Sequence, residues 1–211
     1  MIQLMYAVAV TFLLLVLSEV IWRRTDIHHE LARKIVHMSV GTFVAFWPFF
    51  LSWNQIRLLS LAFVVVVLIS QYLNIFRAIH GVDRPTWGEI LFALATGLVT
   101  YITRDPYVYA AAILQMSLAD GMAAVVGTAL GKTDRYRVFG QYKSLAGSAA
   151  FLIVSYGVLV WFARASATPL TNVQLGFFAI VATLIENVSV RGLDNIVLPV
   201  FISLFLSHLL G

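Results

Sequence analysis

The sequence predicts an all-α protein, a polytopic transmembrane helical bundle with about eight (7–8) spans. Its 211 residues are 61% hydrophobic and 11% charged, whereas soluble domains are about 45–50% apolar and about 25% charged. The apolar residues gather into runs close to the roughly 20 residues that a helix needs to cross a bilayer. A chain of this length makes one compact bundle, so residues 1–211 are expected to form a single integral-membrane domain.

Eight apolar segments qualify as spans, and in chain order they are 4–22, 34–51, 56–73, 87–103, 107–128, 144–163, 172–190 and 193–210. Prolines mark helix ends, and Pro48, Pro85, Pro106 and Pro169 all lie at or beside a span boundary. Pro199 falls inside the last segment, where a kink is expected. The first segment lacks a basic leader and a small-residue cleavage site, so it is interpreted as a permanent helix. The chain has no cysteine, which excludes disulfides and thiolate chemistry.

The distribution of Lys and Arg predicts how the bundle sits in the membrane. With the N-terminus outside, eleven basic residues fall in the inner loops and three in the outer loops. Inner loops carry the excess of positive charge, so both termini are expected on the extracytoplasmic side of a prokaryotic plasma membrane. Titratable residues also gather at the cytoplasmic helix ends, namely Glu19, His37, Glu89, Asp120, Glu186 and Asp194. A transporter would place such groups near the midplane, so this arrangement predicts an active site facing the cytoplasm.

Asp120 is the residue that packing explains least. A carboxylate inside an apolar helix costs on the order of 3 kcal/mol by insertion scales, so it is seldom retained without a function. We interpret Asp120 as a metal ligand or as the base that receives the proton of an acceptor hydroxyl. Beyond it, Ala124, Gly127 and Gly131 form a stripe of small residues. Such a stripe either packs against another helix or leaves room for a ligand.

The segment from Gly127 to Thr133 invites comparison with a phosphate-binding P-loop. It is not one, because three residues separate Gly127 from Gly131 where the motif has four, and a helix precedes it where the motif has a strand. A glycine-rich turn followed by Lys132 can still hold phosphate oxygens. The loop from Lys132 to Lys143 is net basic, as a lid over a nucleoside triphosphate would be.

A second block lies at the start of the second span. Arg33, His37 and Gly41 are spaced i, i+4 and i+8, so they share one helix face. The guanidinium suits phosphate, the imidazole lies one turn deeper, and the glycine permits close helix packing. The alternative is that Arg33 and Lys34 are only positive-inside anchors.

A third block, Lys143-Ser144-Leu-Ala-Gly147-Ser148, opens the sixth span. The free N–H groups and positive dipole end of a helix N-terminus attract anions. The alternative is that Ser144 is only the N-cap and Lys143 only an interface anchor.

A fourth block pairs Glu186-Asn187 with Asp194-Asn195 across a tight inner turn at Arg191-Gly192. Together with Asp120 these acids offer three carboxylates, enough to hold Mg²⁺, which prefers oxygen ligands. The alternative is that Glu186 pairs with Arg191 and that Asp194 caps the last helix.

In this order the four blocks resemble the polyprenol kinase family, which includes dolichol kinase, phytol kinase and the CTP-dependent diacylglycerol kinases. The resemblance lies in Glu30…Arg33-Lys34…His37…Gly41, Asp120…Ala123…Gly127…Gly131-Lys132, Lys143-Ser144…Gly147-Ser148 and Glu186-Asn187…Asp194-Asn195…Pro199. It implies a membrane kinase that transfers the γ-phosphate of CTP, with Mg²⁺ as cofactor. The acceptor would be the hydroxyl of a prenyl alcohol (phytol, geranylgeraniol or polyprenol type) or of diacylglycerol.

The resemblance also implies roles for individual residues. Asp120 and His37 would be catalytic, and Asp120, Glu186 and Asp194 would hold the metal. The nucleotide and its phosphates would be bound by Arg33, Lys34, Gly127, Gly131, Lys132, Lys143, Ser144, Gly147, Ser148 and Asn195. The lipid alcohol would enter sideways from the bilayer. A homo-oligomer is compatible with this arrangement, and no nucleic acid is expected as a partner.

Two other functions remain open at this level. The blocks are distantly similar to CDP-diacylglycerol synthases, which are cytidylyltransferases, although their longer acidic and basic signature is missing here. A small transporter or a non-enzymatic assembly partner is the other alternative.

Overall fold

The structure, a computed structural model, describes residues 1–24, 29–73, 87–131 and 133–210. Within these ranges the chain forms eight α-helices and one β-hairpin. They are α1 (Ile2–Arg24), α2 (His29–Ala45), α3 (Trp53–Leu73), α4 (Gly88–Ile102), α5 (Pro106–Leu130), β1 (Arg135–Val138), β2 (Gln141–Ser144), α6 (Leu145–Ala165), α7 (Asn172–Val188) and α8 (Asp194–Leu210). The predicted all-α class is confirmed, and the short hairpin is an addition that the prediction did not contain.

In the part of the chain that it describes, the structure supports fewer membrane spans than the eight that were predicted. Among the described helices, α1, α3, α5 and α6 are long and apolar enough to cross a membrane. Helices α4, α7 and α8 are apolar but have only 15–17 residues, shorter than the roughly 20 that a perpendicular span needs. The predicted span 34–51 was displaced: α2 begins at His29, and a 3₁₀ turn at Trp47–Phe49, which contains Pro48, follows its end.

Helix α5 is the centre of the bundle and packs against α2, α6 and α8. It starts at Pro106, and the Asp105 carboxylate caps it by accepting from the N–H groups of Tyr107 (2.7 Å) and Val108 (2.9 Å). Small residues in its first half are completely buried, which allows the neighbouring helices to approach closely. By contrast, α1 and α3 lie at the periphery and expose many large apolar side chains. Such surfaces suit contact with lipid.

The middle of α5 is not a regular α-helix. Gln115–Ala119 form a π-helical segment directly before Asp120, and π segments inside α-helices frequently mark functional sites. Helix α2 crosses close to this segment because Gly41 faces Ser117, so any side chain at position 41 would collide with that serine. The close crossing brings the first half of α2 next to Asp120.

The basic loop before α6 is an ordered hairpin. Strands β1 and β2 are antiparallel, and the turn between them consists of Phe139 (φ 44°) and Gly140 (φ 84°). Two successive residues with positive φ are typical of the tight type I′ turn. The Tyr136 hydroxyl donates to Oδ1 of Asn187 (2.5 Å) and lies 2.6 Å from Oγ of Ser148. These bonds fasten the hairpin to α6 and α7.

The turn predicted at Arg191-Gly192 is confirmed. Both residues have positive φ (55° and 87°), so the chain reverses sharply between α7 and α8. Glu186, near the end of α7, and Asp194, at the start of α8, therefore lie at the same end of the bundle. Pro199 lies inside α8 as predicted.

Candidate functional site

A cavity of about 450 Å³ lies where α2, the second half of α5, the hairpin, and the adjoining ends of α6, α7 and α8 meet. It is lined by Arg33, Lys34, Asp120, Ala123, Ala124, Gly127, Thr128, Arg135, Gly140, Gln141, Tyr142, Lys143, Ser144, Gly147, Ser148, Glu186, Arg191, Gly192, Asp194 and Asn195. All four sequence blocks contribute to this lining. Segments that are far apart in the chain therefore form one common site.

Three buried carboxylates form an acidic cluster on this cavity. One oxygen from each of Asp120, Glu186 and Asp194 lies within 4.8 Å of the other two. Carboxylates this close repel one another strongly unless cations separate them. The buried Oδ1 of Asn195, on the same cavity wall, has no hydrogen-bond partner among the described residues. This set of oxygens fits Mg²⁺, which binds carboxylates and retains several waters.

Two lysines neutralise part of the acidic cluster. Nζ of Lys34 lies 2.5 Å from Oδ2 of Asp120, and the Lys143 ammonium bonds the carboxylate of Glu186 and its backbone oxygen (3.1 Å). Both lysines thus pair with site carboxylates, and Lys34 is itself buried. These contacts favour a site role for both lysines over the alternatives, a positive-inside anchor for Lys34 and an interface anchor for Lys143.

Lys143 remains positively charged in this environment. Burial by itself would lower the pKa of Lys143, but the charge of Glu186 and the hydrogen bond to it outweigh burial, and the pKa is raised. The group is therefore protonated at neutral pH. It keeps a fixed positive charge beside the cavity.

The cavity as a whole carries more positive than negative side chains. Five basic residues line it, namely Arg33, Lys34, Arg135, Lys143 and Arg191, against the three acids. An acidic cluster surrounded by basic groups suits a polyanion that arrives with a divalent cation. The prediction included Arg135 only as part of the basic loop from Lys132 to Lys143 and did not assign Arg191 to the site. The only signal for them in the sequence was their place in inner loops.

The start of α6 corrects one expectation about phosphate binding. The N–H of Gly147 donates to Oγ of Ser144 (3.0 Å), and the N–H of Ala146 donates to Oδ2 of Asp134 (2.8 Å). The N–H of Leu145 donates to the backbone oxygen of Asp134 (3.3 Å). These amides already have partners. The prediction that they are free to donate to phosphate is therefore wrong. Ser144 is the N-cap, as the alternative interpretation held.

The glycines on the facing sides of α5 and α6 serve helix packing. A Cβ at Gly147 would lie 2.9 Å from the backbone oxygen of Ala123, and one at Gly127 would lie 2.9 Å from Oγ of Ser144. The glycines therefore let α5 and α6 approach each other, while Gly127 and Gly147 also line the cavity. Gly131 packs against Ser144 and is not part of that lining. Lys132 lies outside the described residues.

Ser148 is engaged in fastening the hairpin. Its hydroxyl donates to Oδ1 of Asn187 (2.9 Å) and contacts the Tyr136 hydroxyl. A phosphate contact by Ser148 would compete with these bonds. Asn195, the other amide predicted in the site, donates from Nδ2 to the backbone oxygen of Gly88 (2.8 Å). Within the described part of the chain, its buried Oδ1 remains an unused acceptor at the cavity wall.

His37 lies behind Asp120, outside the lining of the cavity. Its Nε2 is 3.0 Å from the backbone oxygen of Met116 and 3.8 Å from Oδ2 of Asp120. A carbonyl oxygen can only accept, so Nε2 carries the hydrogen and Nδ1 is the acceptor of the neutral ring. On its far side His37 borders an apolar groove, together with Arg33 and Glu89, whose charged groups are 3.7 Å apart. Glu89 therefore contacts Arg33, which lines the cavity, although Glu89 was not among the predicted site residues.

Comparison with known proteins identifies the family. No protein-family model matches the chain, and no solved structure matches it significantly. The chain is 32% identical over 178 residues to a phytol kinase from Synechocystis sp., an alignment that covers 81% of this chain and 75% of that protein. Such identity over most of both chains, together with the four blocks that meet in one cavity, shows that the chain belongs to the polyprenol and phytol kinase family.

Proposed function

We propose that this protein is a CTP-dependent, Mg²⁺-dependent kinase that phosphorylates the hydroxyl of a prenyl alcohol of the phytol, geranylgeraniol or polyprenol type. The observation that carries the proposal is the cavity in which a buried three-carboxylate cluster is surrounded by five basic side chains. Phosphoryl transfer depends mainly on positioning and charge neutralisation, which this set of residues can supply. Family membership supports an alcohol acceptor, and CTP as donor follows from the family resemblance.

In the proposed reaction the alcohol oxygen forms a bond to the γ-phosphorus, and the bond from that phosphorus to the β–γ bridging oxygen breaks. CDP leaves with the bonding electron pair, and the proton of the alcohol passes to a base on the protein. Arg33, Arg135 and Arg191 would hold the phosphates through charge-assisted hydrogen bonds. The long side chains of Lys34 and Lys143 can turn from their carboxylates toward phosphate oxygens when the nucleotide binds.

Asp120, Glu186 and Asp194 would hold Mg²⁺. When bound, the ion supplies neutralisation of the charge that develops on the phosphate oxygens. Asp120 and Glu186 would each exchange a lysine partner for the ion. Asn195 would accept a hydrogen bond at its Oδ1 from a metal-bound water or from the nucleotide.

His37 is the residue we assign as general base. Its Nε2–H is held by the Met116 oxygen, so Nδ1 can accept the proton of the alcohol. Asp120, 3.8 Å away, would stabilise the imidazolium that forms. Asp120 itself already binds Lys34 and belongs to the acidic cluster, so it is the less suitable base. Its role is to hold charge in the site.

The proposal includes an orientation in the membrane. The cavity would face the cytoplasm, with both termini outside the plasma membrane and about eight spans, the shorter helices included. The excess of Lys and Arg in the inner loops supports this orientation. It also places the cavity where a cytoplasmic nucleotide can enter.

The test uses purified full-length protein in detergent with Mg²⁺, a set of prenyl alcohols, and CTP labelled at either the α- or the γ-phosphate. We expect only the γ label to enter the lipid, and a parallel series with ATP tests the choice of donor. Transfer of the α label would instead show a cytidylyltransferase. Absence of labelled lipid with every donor and acceptor, diacylglycerol included, would favour a transporter or an assembly partner.

A further inference from the structure

A second cavity lies beside the first, and Arg33 lines both of them. It is an apolar groove between α1, α2, α3 and α4, which we call the lateral groove. Its walls include Leu15 from α1, Val40 from α2, Val66 from α3 and Phe92 from α4. Helices α1 and α3 are long enough to cross a membrane and expose their outer apolar side chains. The lateral groove therefore opens toward hydrocarbon, and its occupant must be largely apolar.

The inner end of the lateral groove is polar. Arg33, His37 and Glu89 lie there, each with a side chain only 11–13% exposed. Charged and titratable groups buried at the end of an apolar passage point to an occupant that has a polar head. A molecule with one polar head and a hydrocarbon tail meets both requirements.

The lateral groove adjoins the cavity that holds the acidic cluster. Arg33 lines both of them, and His37 on the groove side lies 3.8 Å from Asp120 on the cavity side. A hydroxyl bonded to His37 would therefore lie next to the acidic cluster, on the side of His37 that borders the lateral groove. Two substrates that meet in this way can react without crossing the hydrocarbon core.

The lateral groove has a small volume. Its volume is about 50 Å³, and a water-sized group needs about 10–15 Å³ on the same scale. It therefore holds an alcohol head and the first carbons of one chain, and the rest of the chain must lie in the bilayer. A two-chain lipid would have to fit the branch point of its glycerol backbone into the same small volume, so a single chain is the better fit.

We infer that the lateral groove is the acceptor site and that it takes a lipid alcohol with a single hydrocarbon chain. The hydroxyl lies at His37, the first carbons pack against Val40 and Phe92, and the tail leaves between α1 and α3. Glu89 is a positioning residue, because it orients Arg33, which lines both the lateral groove and the cavity with the acidic cluster. This inference rests on the proposed kinase function and adds the place in the bundle where the acceptor binds and the residues that hold it.

The first test compares two neighbouring substitutions on α3, Val66→Trp and Val65→Trp. The two valines are almost equally exposed (47% and 48%), but only Val66 lines the lateral groove. Both positions face lipid, so both variants are expected to fold. Val66→Trp should raise KM for geranylgeraniol at least fivefold and leave KM for the nucleotide unchanged, while Val65→Trp should change neither. Equal effects of the two variants, or no effect of Val66→Trp, would overturn the assignment.

The second test measures binding without turnover. A prenyl alcohol that carries a photoreactive diazirine beside its hydroxyl is irradiated with the full-length protein in the absence of nucleotide, and the labelled peptides are identified by mass spectrometry. We expect labels in α2 and α4, competed by geranylgeraniol and not by diacylglycerol. Labels elsewhere, or equal competition by diacylglycerol, would overturn the inference. Labels in the groove of a protein that phosphorylates no alcohol would support the site and refute the kinase function.

Discussion

Nζ of Lys34 on α2 lies 2.5 Å from Oδ2 of Asp120 on α5, and both side chains are buried. The two residues are 86 positions apart in the chain. In a buried environment neither charge is stable without the other, since an unpaired buried ion loses its hydration. The pair therefore joins two sequence blocks and also determines how a variant of Asp120 must be interpreted.

Replacement of Asp120 by Asn should lower kcat at least about 100-fold, because a charged group of the reaction centre is lost. The same change leaves the Lys34 ammonium without its partner, which costs about 3–5 kcal/mol for a buried pair. The double variant Asp120→Asn with Lys34→Met removes both charges, so its thermal stability should recover while its activity should not. Activity above about a tenth of wild type in a folded Asp120→Asn protein would exclude Asp120 from the mechanism.

The two arginines of β1 provide a matched test of nucleotide binding. Arg135 and Arg137 are both exposed on the same strand, but only Arg135 lines the cavity. A charge-assisted hydrogen bond contributes about 1.5–3 kcal/mol, so Arg135→Met should raise KM for the nucleotide about tenfold or more. Arg137→Met should leave it within a factor of two. The assignment fails if steady-state kinetics show similar KM values for the two variants.

The acidic cluster predicts a specific dependence on Mg²⁺. Asp194→Asn removes one of three carboxylate ligands, so the Mg²⁺ concentration for half-maximal activity should rise about tenfold or more. Asp105→Asn is the control, because Asp105 caps α5 outside the acidic cluster and Asn is an equally good N-cap. A magnesium titration that gives the same midpoint for wild type and Asp194→Asn would contradict the proposed metal site.

The pH dependence of kcat can show whether His37 acts as a general base or only packs in the bundle. A general base contributes about 10²–10⁴-fold, so His37→Gln should lower kcat by at least that lower limit without changing KM for the nucleotide. In the wild type, kcat should fall at acidic pH as the imidazole becomes protonated, and in His37→Gln this acidic decline should disappear. Retention of the same pH profile by the variant would assign the base to another group.

Helix positions were predictable where apolar runs were long. The boundaries of α3, α6 and α7 fall close to the predicted ones because composition changes abruptly there. Helix α2 was displaced because its first turns carry the charged residues of the site, which a hydropathy pattern treats as loop. The hairpin was missed because its four-residue strands have no apolar alternation to distinguish them from a basic loop.

Composition and hydropathy were enough to predict a membrane bundle, and the four sequence blocks were enough to propose site residues and to support the family resemblance. Those features are local, so a single chain displays them directly. The partners of the buried charges could not be predicted in this way. Asp120 pairs with Lys34, Lys143 pairs with Glu186, and the first amides of α6 already have acceptors. Each of these contacts depends on which helices pack together. Packing joins residues that are distant in the chain, and no local pattern specifies which of several nearby acids and bases will share one buried volume.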